Sequence, residues 1–225
     1  MSKKRIKQYL MLLTVIGLVS IASGSGTFAS FSAETTNAGN TFATGTIVLS
    51  NTVNAGSACL STGGGNTNTN VNAACTALFN SSVKKPGDSY TADQLDLKNA
   101  GSLAATTLKL SSTSCITSDA AGQTYHGTGD LCPVLDVYVQ EWTSNTYATP
   151  LTCWYGGAVV ANTCDFSDNT KTLTALNTAS PLTITGGMGA GTDRFFTIGI
   201  KLDPLAGNNV QGRSATADLT WHVDQ

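Results

Sequence analysis

VLDVYVQEW, Val134 to Trp142, sets Leu135, Val137 and Val139 against Asp136, Tyr138 and Gln140. Alternation with a period of two is the mark of a strand with one buried and one wet face. The same pattern returns in FFTIGIKL, Phe195 to Leu202, where Phe196, Ile198, Ile200 and Leu202 oppose Thr197, Gly199 and Lys201. It returns again in SATADLTWHV, Ser214 to Val223, with Ala215, Ala217, Leu219, Trp221 and Val223 on one side. Upstream, Gln94 to Asn99 places Leu95 and Leu97 inward, and Leu103 to Ser111 places Ala104, Thr106, Leu108 and Leu110 on one face. Thr41 to Ser50 reads as the first strand, with Ile47 and Leu49 opposite Val48. No segment has a convincing helical period, so the class is all-β, with any helices short and confined to loops.

The stretches between these strands carry turn chemistry. Pro86 and Gly87 in KKPGDSY, Lys84 to Tyr90, supply the fixed and the permissive φ of a tight reversal. Asn51 to Ser82 is low in complexity, and its centre, Ser61 to Asn70, is too polar to order itself by burial. Ile116 to Leu131 and Pro204 to Gly212 read as loops, and Leu173 to Ile184 is weakly patterned, holding one strand or two.

The N-terminus is of another kind. Lys3, Lys4, Arg5 and Lys7 precede a mostly apolar run of 13 residues from Leu10 to Ala22. That run falls short of the roughly 20 residues needed to span a bilayer, and small residues follow it as in a peptidase site. The expectation is a signal peptide over residues 1–29, cut between Ala29 and Ser30, with a retained membrane anchor as the alternative. No cysteine follows the run to take a lipid, and the C-terminal WHVDQ has no apolar tail. No stable membrane anchor is therefore expected after cleavage. The cut removes four of 12 basic residues and none of 14 acids, leaving 196 residues and a net charge of 8 minus 14, or −6. An acidic chain without a basic cluster speaks against nucleic acid and anionic membranes as partners. Its length suits a single sandwich or barrel domain.

All six cysteines lie in the exported part. About 15 pairings are possible, but the sequence neighbours, Cys59 with Cys75, Cys115 with Cys132 and Cys153 with Cys164, each flank a loop rich in turn formers. Closing a loop of roughly 15 residues contributes about 3 kcal/mol by restricting the unfolded chain. Local disulfides are expected. Zinc would need clustered pairs of the C-x-x-C kind, which are absent.

Signs of catalysis are few. The chain has two histidines, His126 in YHGTGD and His222 on the polar face of the last strand, and lacks H-E-x-x-H, G-x-S-x-G and P-loop motifs. GGMGAG, Gly186 to Gly191, is glycine-rich like a phosphate cradle but opens no helical pattern, so it reads as a turn. Asp165, Asp168 and Asn169 fit either a calcium loop or a solvated turn. The reading is of a protein that is not an enzyme and has no cofactor.

Three pieces carry a resemblance. The signal-peptide end and first strand, GTFASFSAETTNAGNTFATGTIVLS from Gly26, resemble the exported TasA and camelysin family, whose signals are cut by a SipW-type signal peptidase. KPGDS followed by DLKNAGSLAATTLKL resembles that family's turn, strand and N-x-G-S-L segment. AGNNVQGRSATADLTWHVDQ resembles its closing N-x-x-Q-G strand. The matching pieces cover the two ends and residues 84 to 110, and the cysteines lie outside the pattern.

The resemblance implies a single jelly-roll-like β-sandwich over 41–225 with long disulfide-closed loops, preceded by a donor strand at 30–40. It implies a secreted subunit of extracellular biofilm-matrix fibres that polymerises with copies of itself, with the SipW-type peptidase and other matrix or cell-surface components as further partners. Carried over, the donor strand is Ser30, Phe31, Ser32, Ala33, Glu34, Thr35 and Thr36, within Ser30 to Asn40. Its own pattern agrees, because Phe31, Ala33 and Thr35 alternate with Ser32, Glu34 and Thr36. The same residues also suit a disordered leader. The alternatives for the whole chain are a monomeric surface adhesin or fibre-anchoring accessory and, less favoured for want of metal ligands, a camelysin-like protease.

Overall fold

A computed structural model describes residues 3–25, 43–63, 75–79, 84–157 and 162–225. The chain divides into two units, residues 1–43 and 44–225. The first contains helix α1, Lys3–Ser25, which includes the apolar run. Among the described residues, no helix is long and apolar enough to cross a membrane.

The second unit is an all-β sandwich of antiparallel sheets. Its strands are β1 Leu49–Val53, β2 Cys59–Leu60, β3 Ser89–Asn99, β4 Thr107–Ser112, β5 Ile116–Asp119, β6 Leu135–Trp142, β7 Pro150–Tyr155, β8 Leu182–Ile184, β9 Asp193–Leu202, β10 Arg213–Thr216 and β11 Leu219–Asp224. A six-stranded sheet has the order β2-β1-β3-β9-β6-β7, a three-stranded sheet the order β11-β4-β8, and β10 pairs with β5.

Alternating apolar residues from both larger sheets meet in one core. Leu95 and Leu97 of β3, Val137 and Val139 of β6, and Phe196, Ile198 and Ile200 of β9 form one side. Leu108 and Leu110 of β4, Ile184 of β8 and Trp221 of β11 form the other. Fully burying one such side chain contributes about 1.5–3 kcal/mol, so this shared layer supplies the main force joining the sheets.

Several strand boundaries differ from the sequence reading. The first strand begins at Leu49, beyond most of Thr41–Ser50, and extends through Val53. β4 starts at Thr107, because Ala105 is held in a bridge to Met188 and Ala104 and Thr106 are exposed. The Ile116–Leu131 stretch contains β5, and Leu173–Ile184 holds both helix α2, Leu173–Thr178, and β8. A six-residue helix shows little period; it forms because Thr172 Oγ1 caps the Ala175 N–H at 3.2 Å while Leu173 and Leu176 are buried.

The closing segment is two strands rather than one. Thr113 N–H donates to Asp218 O (2.9 Å) and Asp218 N–H donates to Thr113 Oγ1 (2.8 Å), pinning the break between β10 and β11. The pairing shifts by one residue across it, from Ser112↔Leu219 to Ile116↔Thr216. The KPGDS turn closes as read, with Gly87 at φ +91° and Asp88 N–H donating to Lys85 O (2.9 Å).

Candidate functional site

Ala29, Ser30 and the donor residues Phe31, Ser32, Ala33, Glu34, Thr35 and Thr36 lie outside the described residues, as does much of the Ser61–Asn70 centre. The domain's first described residues are anchored, however. Thr46 O accepts from the N–H groups of Ser102 (2.8 Å) and Leu103 (3.1 Å), and Ala100 N–H donates to Val48 O (2.7 Å). Gly101 is required here, because a Cβ would collide with Thr46 O and the backbone of Ile47 and Val48.

The disulfides are Cys59–Cys75, Cys115–Cys132 and Cys153–Cys164, with Cα separations of 5.6, 5.9 and 5.1 Å. Each closes a local loop, and together they fit an oxidising compartment. Cys115–Cys132 straps the start of β5 to the turn before β6, and Cys153–Cys164 ties β7 to the loop beyond it.

The possible chemical centres are engaged in structure. Asp165 Oδ1 accepts from Ser167 N (3.0 Å) and Oγ (2.7 Å), and Asp168 Oδ1 from Thr170 N (2.9 Å) and Oγ1 (2.6 Å). Those local donors hold both carboxyls below their usual range. His126 Nδ1 lies 2.7 Å from Gly212 O, and His222 Nε2 lies 2.7 Å from Asp224 Oδ1. In GGMGAG, Met188 exchanges two backbone bonds of 2.8 Å with Ala105, so the segment is a docked turn.

One polar cluster is buried inside the sandwich. Glu141 of β6, 3 % exposed, takes a two-pronged ion pair from Arg194 of β9, Nε to Oε1 and Nη2 to Oε2, both 2.7 Å. Trp154 Nε1–H also donates to Glu141 Oε2 at 2.7 Å. Arg194 further donates to Thr185 O and Gly186 O, so it fastens the turn after β8 to the larger sheet. With its charges mutually satisfied, this cluster braces the turn after β8 against the larger sheet.

The outer face of the larger sheet is roofed by loops. Tyr147 packs on Trp142 and Phe195, with centroids 6.4 and 6.2 Å away, and Phe166 packs on Tyr138 at 4.9 Å. Burial, with the Asp96 charge second, pushes the Tyr147 phenol up to about 12. Gly199 makes room for this layer, since a Cβ there would strike the Tyr138 ring.

What remains is the set of sheet edges, the places where a sheet can take on a further strand. In the larger sheet, β2 is two residues long, and β7 is bulged against β6 and tethered by a disulfide. In the smaller sheet, β8 covers three residues of β4. β11 is different: it pairs with β4 over all six residues, Leu219 to Asp224, and has no strand beyond it among the described residues.

No family model matches the chain, and no curated protein matches it. The edge on β11 escaped the sequence reading because strand order is set by pairing distant in sequence. The alternation of Leu219, Trp221 and Val223 was the visible sign of its inward face.

Proposed function

We propose that this chain is a structural subunit of extracellular fibres of the biofilm-matrix kind, polymerising head to tail by insertion of its N-terminal strand, Ser30–Thr36, into the next subunit. A SipW-type peptidase frees that strand by cutting between Ala29 and Ser30. The resemblance at both chain ends motivates the reading. The observation that carries it is that Thr44–Gln225 has a core of its own and still presents a six-residue edge strand that, among the described residues, has a strand partner on one side only.

An extended segment added to such an edge continues the backbone ladder, each bond adding on the order of 1 kcal/mol net. The donated surface and the receiving surface differ, so the contact is heterologous and yields an open filament unless it closes into a ring. Before cleavage the strand is joined to α1, and release and assembly are thereby coupled. Disulfide-closed loops suit a protein that must persist outside the cell.

Electron microscopy of the purified chain from Ser30 to Gln225 tests the proposal. Filaments formed without any other protein are expected. Particles that stay single at high concentration would favour the adhesin or accessory reading, in which the disulfide-closed loops are the binding faces.

A further inference from the structure

Main-chain direction along β11 can be read from its surroundings. Ser112 N–H donates to Ser180 Oγ (3.1 Å), toward the β8 side, whereas Thr113 N–H donates to Asp218 O (2.9 Å), toward the β11 side. Successive residues of an antiparallel strand bond alternately to one neighbour and the other. Thr107, Lys109 and Ser111 therefore bond to β11, through the opposing Asp224, His222 and Thr220. It follows that Leu219, Trp221 and Val223 turn their N–H and C=O groups to the open side.

Their side chains are the ones that face the core. Trp221 is buried, Leu219 and Val223 only in part, so among the described residues the apolar row stops at this edge without a strand on its far side. The indole Nε1–H of Trp221 is buried without an acceptor among the described residues, and leaving such a group unpaired costs roughly 1–3 kcal/mol.

We infer that the outer edge of β11 is the acceptor for Ser30–Thr36 of a second copy. This rests on the proposed function and supplies the receiving half of its contact. The seven donor residues match the six-residue edge in length. Phe31, Ala33 and Thr35 continue the row of Leu219, Trp221 and Val223, and Ser32, Glu34 and Thr36 lie on the wet face beside Thr220 and His222.

Chain direction favours a second copy over the same one. Thr46 is bonded to Ser102 and Leu103, and Thr106 N–H donates to Asp224 O (2.8 Å), so the domain's first residues sit near the end of β11. A preceding segment of the same chain laid along β11 would run parallel to it. A strand from another copy is free to run antiparallel, the slightly more stable ladder. Asn37–Ala43, seven residues spanning up to roughly 23 Å, then links one subunit to the next.

The test uses chains from Ser30 to Gln225. Copies with Glu34→Cys are mixed with copies carrying His222→Cys on β11, Thr183→Cys on β8 or Leu151→Cys on β7, then treated with a short bis-maleimide. The native cysteines, all paired, do not react. A covalent product of twice the single-chain mass from the His222→Cys mixture alone is expected. Filaments whose links form at Thr183→Cys or Leu151→Cys would overturn the β11 assignment and leave the fibre reading standing. A chain carrying both Glu34→Cys and His222→Cys that links only within itself would overturn donation between copies. Absence of filaments in every mixture, and with unsubstituted protein, would overturn the fibre reading and this inference with it.

Discussion

The ring of Phe196 on β9 and the indole of Trp221 on β11 lie with centroids 4.8 Å apart and planes tilted by 39°. This contact crosses the sandwich, joining a fully buried side chain of the six-stranded sheet to the edge strand of the smaller one. Both rings belong to the shared core, and the strand that carries Trp221 has β4 as its sole strand partner among the described residues.

Trp221→Ala is therefore expected to lower the unfolding free energy by about 3–5 kcal/mol, the usual cost of deleting a buried aromatic. Trp221→Phe should cost distinctly less, because it keeps an aromatic ring and the indole N–H has no acceptor to lose among the described residues. Urea denaturation of both variants measures the difference. Equal losses would show that the N–H is paired in solution.

The Arg194–Glu141 pair should behave as a unit. Glu141→Gln or Arg194→Met alone leaves a buried partner uncompensated and is expected to cost about 3–5 kcal/mol. The double variant should cost clearly less than the two single losses combined, and a double-mutant cycle reads this directly. Additive losses would mean that the two side chains do not interact.

Alternation made β6 and β9 legible, because both lie in the middle of a sheet and bury one full face. β5 was not legible: ITSD is short, and Ile116 is exposed, so no inward row announces it. The break at Asp218 was also hidden, since Ala217 and Leu219 keep the period of two while the backbone shifts its pairing. Glu141 and Arg194 gave no signal because their meeting depends on the β6–β9 register, which places Glu141 opposite Phe196. The β11 edge is likewise a product of sheet order, which single-strand patterns do not encode.

The carboxyl of Asp136 gives a pH test. Burial, followed by the charge of Asp203, raises its pKa above the ordinary 3.8, with Lys201 opposing and Asp168 adding to the rise. The native state then binds this proton more tightly than the unfolded chain, so the group's favourable contribution is full below pH 3.8 and is lost as pH rises through the folded pKa. Asp136→Asn should therefore gain stability relative to the unsubstituted protein between about pH 3 and about pH 7. Denaturation curves at both pH values check this. A difference that does not change with pH would contradict it.

Replacing Cys115 and Cys132 together by Ser should lower stability by about 3 kcal/mol through the unfolded chain's regained freedom. Mass spectrometry of the unreduced protein should find no free thiol, and a reactive cysteine would overturn the pairing.

Deleting Ser30–Thr36 from the processed chain, followed by sedimentation velocity and electron microscopy beside the unshortened protein, tests the central claim most directly. The expected result is a folded monomer from the shortened chain and filaments from the other. Filaments of normal length from the shortened chain would contradict assembly by a donated N-terminal strand.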